Sequence, residues 1–233
     1  MKTIVFALIR GSLQIVNRIM LPFRSRIIAI MPQFKKHNGI PFDYIRYATF
    51  QLLLNEIKEK KLTGDVAELG VYRGDFAQYI NKAFPERTLY LFDTFEGFDK
   101  RDVARDRENS YSDGKQDFSK TNENIVMKKM IHPKKCVIVK GYFPESLNNV
   151  TDNEKLQFSF VSLDADLYEP IYRGLVYFYP KLCKGGYILI HDYNSFNDIY
   201  KGVKQALYQF CNERAISYVP IPDSGGSVVI TKS

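Results

Sequence analysis

A chain of 233 residues, 45% apolar and 14% aromatic, is long enough for one globular domain with a sizeable core and too short for two of full size; whole-chain disorder is excluded. Its 33 lysines and arginines exceed its 26 acids by seven, and the whole excess lies in residues 1–42, which hold Lys2, Arg10, Arg18, Arg24, Arg26, Lys35 and Lys36 and no acid. The remaining residues are charge-balanced, so no nucleic-acid partner is expected. Cys136, Cys183 and Cys211 are odd in number and show no C-x-x-C spacing, which argues against a disulfide framework or a zinc site and for a reducing, cytoplasmic setting. No run of apolar residues is long enough to span a bilayer, and the opening stretch, interrupted by Arg10, is not expected to be a secretory signal.

Wound at helical pitch, residues 4–21 put Val5, Ile9, Leu13, Val16 and Met20 on one side and Arg10, Gln14, Asn17 and Arg18 opposite. Pro22, Pro32 and Pro41 punctuate the rest of this segment, with a second apolar cluster at 27–31. Residues 1–42 therefore read as a basic, amphipathic, helical arm. Its apolar face is expected to pack on the core or on a second subunit in a homo-oligomer. The alternatives are contact with the inner membrane surface, where each base near an anionic leaflet adds roughly 1 kcal/mol, or service as a lid over an acceptor pocket.

From residue 43 the pattern is that of a domain running to 233. A helix is expected over 43–60, ending before Gly64. Short apolar runs then alternate with helical segments: strands at 65–69, 88–93, 136–140, 158–164, 187–192, 217–220 and 227–231, helices at 74–83, 122–130, 169–180 and 200–213. This is the α/β signature of a doubly wound, mostly parallel, seven-stranded sheet. The interval 96–120 is polar and lacks clear periodicity, so it reads as a long loop able to order over a ligand.

In such sheets ligands bind beyond the carboxyl ends of the strands. The first core strand runs into Glu68-Leu69-Gly70-Val71-Tyr72-Arg73-Gly74, a G-x-x-x-G turn lacking the glycine pair that accommodates a dinucleotide pyrophosphate, which disfavours a nicotinamide-dependent oxidoreductase. The second ends at Asp93, where a carboxylate can accept from ribose hydroxyls. The fourth ends in Asp164 and Asp166 and the fifth in His191-Asp192, clustered acids that need a cation or a proton to compensate them. Asp166 is also placed to cap the next helix.

Several ordered segments resemble one family. They are Gly64 to Gly74 (GDVAELGVYRG), Leu91 to Phe98 (LFDTFEGF), Gly141 to Leu147 (GYFPESL), Leu163 to Glu169 (LDADLYE), Tyr179 to Leu182 (YPKL) and Gly185 to Tyr193 (GGYILIHDY). Over about residues 43–233 the chain resembles the macrocin O-methyltransferase (TylF-like) group of class I S-adenosylmethionine-dependent methyltransferases. The resemblance implies transfer of the sulfonium methyl of S-adenosyl-L-methionine to a sugar hydroxyl on a glycan or glycosylated metabolite. It implies that Glu68, Gly70 and Gly74 surround the methionine part of the cofactor, with Arg73 reaching its carboxylate; Tyr72 and Thr94 count among the cofactor-binding residues, Tyr72 placed to stack on adenine or a sugar face. Asp93 would hold the ribose, and Gly141, Tyr142 and Phe143 would border the adenine.

In that family the acid ending the fourth strand and two acids ending the fifth hold a divalent metal, usually Mg2+, and the first of these serves as base. The corresponding residues here are Asp164, His191 and Asp192, a histidine having replaced one acid. Two routes are open. Either Asp164 and Asp192 still grip a metal that acidifies the hydroxyl, with Asp164 or His191 accepting the proton, or no metal binds and His191 is the general base, oriented by Asp164 or Asp192. The metal route is the expectation, since two of the three ligands remain. The competing class is a catalytically silent cofactor-binding scaffold, supported by the same histidine.

Overall fold

The computed structural model describes residues 35–37, 40–194 and 199–233. The chain divides into two compact units, Met1–Asp43 and Tyr44–Ser233. In the first, the described residues form an antiparallel ribbon of β1 (Lys35–His37) and β2 (Ile40–Phe42). The helix expected over 4–21 and the cluster at 27–31 lie outside the described residues.

The second unit opens with α1 (Tyr44–Glu59). It then runs β3 (Asp65–Leu69), α2 (Ala77–Ala83), β4 (Leu89–Asp93), α3 (Lys100–Glu108), α4 (Glu123–Met127) and β5 (Cys136–Lys140). The chain continues through β6 (Phe158–Leu163), α5 (Tyr168–Lys181), β7 (Leu182–Ile190), α6 (Lys201–Arg214), β8 (Val219–Pro220) and β9 (Val228–Thr231). Seven strands form one sheet in the order β5-β4-β3-β6-β7-β9-β8. The first five are parallel neighbours, while β9 runs antiparallel to both β7 and β8. The doubly wound seven-stranded expectation is met, and the order reverses between β3 and β6, where such sheets open a crevice.

Packing explains the texture of the sequence. Every residue of β6, including Ser159 and Ser162, is buried, because helices cover both faces of the sheet. On one face α1 and α2 pack Phe50, Leu54, Ile57 and Ile80 against β3, β4 and Phe160. On the other, α5 and α6 pack Ile171, Leu175, Phe178, Leu207 and Phe210 against β6, β7 and β9. Filling both layers with large side chains, each worth about 1.5–3 kcal/mol when fully buried, holds the strand ends in fixed register.

The interval 96–120 is not all loop. Asp99 caps α3 by accepting from the Arg101 amide at 2.8 Å, and the buried face of this helix is polar, made of Asp102 and Asp106 one turn apart. Asp102 accepts from the Tyr142 hydroxyl at 2.9 Å and Asp106 from the Tyr168 amide at 3.2 Å. An apolar stripe is the usual mark of a packed helix, and here hydrogen-bonded carboxylates take its place. Burial pushes both acids up to about 6 despite those donors.

Candidate active site

The ladders of the sheet carry the site residues to one edge. The Gly70 amide donates to Phe92 O, the Asp164 amide to Leu69 O and the His191 amide to Leu163 O, so β3, β6 and β7 end side by side. Gly70, at φ +84°, passes so close to β6 that a Cβ would sit 2.0 Å from Asp164 O. Only glycine suits both that conformation and that approach. Four larger residues at the same rim, Tyr72, Phe95, Asp166 and Asp192, also have φ between +48° and +62°.

Asp93 ends β4 and ties the rim together. Its Oδ2 accepts from the Val71 and Tyr72 amides and its Oδ1 from the Phe95 amide, all at 2.7 Å. Thr94 turns inward on its own loop, donating to Gly97 O at 2.7 Å. Arg73 is exposed at the rim. Tyr72 meets Phe118 edge-to-face at 5.2 Å, and Thr121 Oγ1 donates to its carbonyl. Phe118 also lines an open hollow of about 600 Å³ within the 96–119 segment, bordered by Phe98, Val103 and Arg107.

After β5, Gly141 and Tyr142 stay at the edge, whereas the Phe143 side chain turns into the core, 4% exposed and stacked on Phe178. Tyr142 is held from above by α3, with the Arg101 guanidinium 3.7 Å from its ring centroid and Asp102 on its hydroxyl.

The structure brings Asp164, His191 and Asp192 together. His191 Nδ1 lies 3.2 Å from Asp164 Oδ1 and 2.9 Å from Asp192 Oδ2. Sequence reasoning missed the fourth member: Arg46, in the first turn of α1, donates from Nη1 to Asp164 Oδ2 at 2.9 Å and from Nη2 to Ser162 at 3.4 Å. The signal was present, because Arg46 shares the helical stripe of Phe50, Leu54 and Ile57, where a charge must have a buried partner. Asp223, in the turn between β8 and β9, was missed as well. It is 9% exposed, its Oδ1 accepts from the Ser227 amide at 2.6 Å, and an oxygen lies within 4.8 Å of a His191 ring nitrogen.

Asp166 does not cap α5. Its carboxyl hydrogen-bonds Asp192, and burial with the Asp192 and Asp164 charges pushes it well above the usual carboxylate range. Burial opposes ionisation of Asp164 too, but Arg46 and then His191 outweigh it and hold this carboxyl below that range. Burial and the Arg46 charge would lower the His191 ring, yet Asp164 and Asp192 overcome both and push it up to about 10.

Glu68, 1% exposed, is pushed well above its ordinary value by burial, with Arg46 offsetting part of the rise. Its Oε2 is buried without a hydrogen-bond partner. A buried carboxylate oxygen left unpaired at the mouth of a crevice suits a cationic ligand. The donor atoms of Asp164, His191 and Asp192 fall within 4.8 Å of one another, close enough for a metal by proximity alone. The chemistry does not suit magnesium: one of the three atoms is a nitrogen already turned to both carboxylates, and a guanidinium occupies the second oxygen of Asp164.

This strand order, with its site at the β3/β6 reversal, is the class I methyltransferase fold. NovP, an O-methyltransferase, superposes with a TM-score of 0.66 at 20% identity, covering 81% of this chain and 79% of its own. CalS11, the calicheamicin methyltransferase, gives 0.65 at 18% identity over 80% and 78%; its apo structure is described as a TDP-rhamnose 3'-O-methyltransferase. TomG of Streptomyces achromogenes, an O-methyltransferase of tomaymycin synthesis in complex with S-adenosylmethionine, gives 0.54 at 10% identity over 87% of each chain. No curated protein sequence matches. The macrocin O-methyltransferase (TylF) family profile matches residues 44–223, and the chain belongs to that family of S-adenosylmethionine-dependent O-methyltransferases.

Proposed function

We propose that the chain methylates a sugar hydroxyl of a glycan or glycosylated metabolite, at the edge where β3, β6 and β7 end. The observation that carries this reading is Asp164 held between Arg46 and His191 at the strand ends that also carry the unpaired Glu68 oxygen. When bound, S-adenosylmethionine supplies an electrophilic methyl on a good leaving group. Glu68 is suited to hold its ammonium, and the Gly70–Gly74 turn allows close backbone approach. Asp93 retains accepting capacity for a ribose hydroxyl on Oδ1, which carries one bond against two on Oδ2. Gly141 and the clamped Tyr142 border the adenine side; Phe143 contributes its backbone alone.

With its ring raised to about 10, His191 is protonated at neutral pH and is a poor general base. Asp164 therefore accepts the hydroxyl hydrogen and aims the oxygen, and His191 keeps Asp164 in place. As the carbon–oxygen bond forms and the carbon–sulfur bond breaks, the proton on that oxygen becomes strongly acidic and passes to Asp164. The sugar assignment draws support from CalS11, whose acceptor is a nucleoside-diphosphate deoxysugar.

The test is mass spectrometry of reactions containing the purified chain, S-adenosylmethionine and a panel of nucleoside-diphosphate deoxysugars, glycosides and catechols. Methylated sugar with stoichiometric S-adenosylhomocysteine is expected. Methylation of catechols alone would sink the sugar assignment, and cofactor binding without turnover on any acceptor would favour a silent scaffold.

A further inference from the structure

The geometry points to a site that takes no divalent metal: the donors that face these carboxylates are built into the chain, the Arg46 guanidinium on Asp164 and the His191 ring nitrogen between Asp164 and Asp192. This rests on the methyltransferase reading above, and departs from the metal-holding acids the family resemblance implies.

The inventory of carboxylate oxygens carries the inference. Asp164 Oδ2 is taken by Arg46 Nη1 at 2.9 Å, and Asp164 Oδ1 and Asp192 Oδ2 both face His191 Nδ1, at 3.2 and 2.9 Å. Asp192 also carries the hydrogen bond with Asp166. One ring N–H thus stands between the two carboxylates that an ion would bridge. To admit a metal, Nδ1 would have to lose that hydrogen and both contacts, and the ion would sit beside a fixed guanidinium bonded to one of its own ligands.

The ring has no room to withdraw. A Cβ at Gly225 would lie 2.5 Å from both Cε1 and Nε2 of His191 and 3.0 Å from Asp192 Oδ1, so the 223–226 turn is packed against it. That turn is fixed in place: the Gly226 amide donates to Asp223 O at 3.2 Å, the Ser227 amide to Asp223 Oδ1 at 2.6 Å, and the Asn194 amide to Gly226 O at 3.2 Å. Arg46 is equally confined, buried at 8% exposure with its guanidinium carbon 4.1 Å from the Phe76 ring centroid.

The experiment titrates Mn2+ and Mg2+ into chelator-treated, dialysed full-length protein, followed by calorimetry and thermal unfolding. The wild type is expected to show no saturable site below millimolar ion and no shift in Tm. His191→Asp removes the ring N–H and supplies a third oxygen ligand. This variant is expected to gain a saturable Mn2+ site and a Tm rise of about 3–6 °C at tenfold excess over its Kd.

One Mn2+ bound by the wild type at micromolar Kd overturns the proposal, and this arm stands even if the variant does not fold. A folded variant that still binds no ion overturns the part assigned to His191. Titration of the wild type with S-adenosylhomocysteine, without metal, reads the methyltransferase assignment separately.

Discussion

Arg46 and Asp164 meet at 2.9 Å across 118 residues of sequence, joining the first turn of α1 to the end of the central strand β6. The pair is mostly shielded, with side-chain exposures of 10% and 22%. Removing Arg46 leaves the buried Asp164 charge compensated by His191 alone, at 3.2 Å. Arg46→Met is expected to cost about 3 kcal/mol in chemical denaturation, the low end for breaking a buried pair. The double variant Arg46→Met, Asp164→Asn should recover part of that loss, because the orphaned charge goes with its partner; equal stability of single and double variants would contradict the pairing.

The pH dependence of stability has a defined sign. His191 is raised in the folded state from 6.5 to about 10, so its contribution is complete below about pH 6.5 and is lost as pH climbs through 10. Asp164 is depressed, so its contribution is present above about pH 4 and disappears only in stronger acid. Thermal unfolding of the wild type should show Tm declining steadily between pH 7 and 10, and His191→Gln should flatten that limb. A wild-type curve level across this range would rule out the raised histidine.

Burial pushes the Glu68 carboxyl well above its ordinary value, so Glu68→Gln, which keeps the shape and removes a poorly solvated ionisable group, should change stability by less than about 1 kcal/mol. Calorimetry with S-adenosylmethionine should nevertheless show at least about a tenfold weaker Kd, since a charge-assisted contact is replaced by a neutral one. An unchanged Kd would remove Glu68 from the cofactor site.

Gly225→Ala puts a methyl into the His191 ring, and the 223–226 turn is too well bonded to yield freely. The expected loss is about 1–3 kcal/mol, together with reduced methyl transfer because the ring can no longer hold Asp164 in position. Full activity in this variant would show that the ring placement does not matter for the reaction.

Asp102 and Asp106 carry pKa values raised to about 6, which means the folded state binds their protons more tightly and their ionisation costs stability as pH rises from about 4 to 6. Asp102→Asn should therefore be neutral or slightly stabilising at pH 7, within about 1 kcal/mol, while loosening Tyr142. Weaker S-adenosylhomocysteine binding by this variant at unchanged Tm would tie α3 to the adenine side of the site.

The strands were legible because β3, β6 and β7 are short apolar runs closed by acids, and β5 was bounded to the residue. Asp164 and Asp192 could be brought to one edge on paper from adjacent strand ends, with His191 or Asp166 nearby, and the family resemblance singled out the trio with His191. The apolar stripe of α1 marks Arg46 as needing a buried partner, but no local pattern names Asp164, 118 residues away. The α3 helix escaped because its inward face is made of carboxylates, which periodicity of apolar residues does not register. Asp166 was read as a helix cap from its position, but its left-handed backbone at φ +62° turns the carboxyl toward Asp192.

The left-handed conformations of Tyr72, Phe95, Asp166 and Asp192 have a consequence for laboratory evolution. At Tyr72, half-buried, glycine or asparagine would relax the backbone by about 1 kcal/mol or more while deleting a ring at the strand ends, whereas Asp166 and Asp192 already tolerate this conformation and Phe95 is a buried core side chain whose removal costs more than the strain. A selection for heat resistance alone is expected to reach Tyr72 before the other three. Thermostability would then rise as methyl transfer falls, making Tyr72 the position to hold fixed in any library.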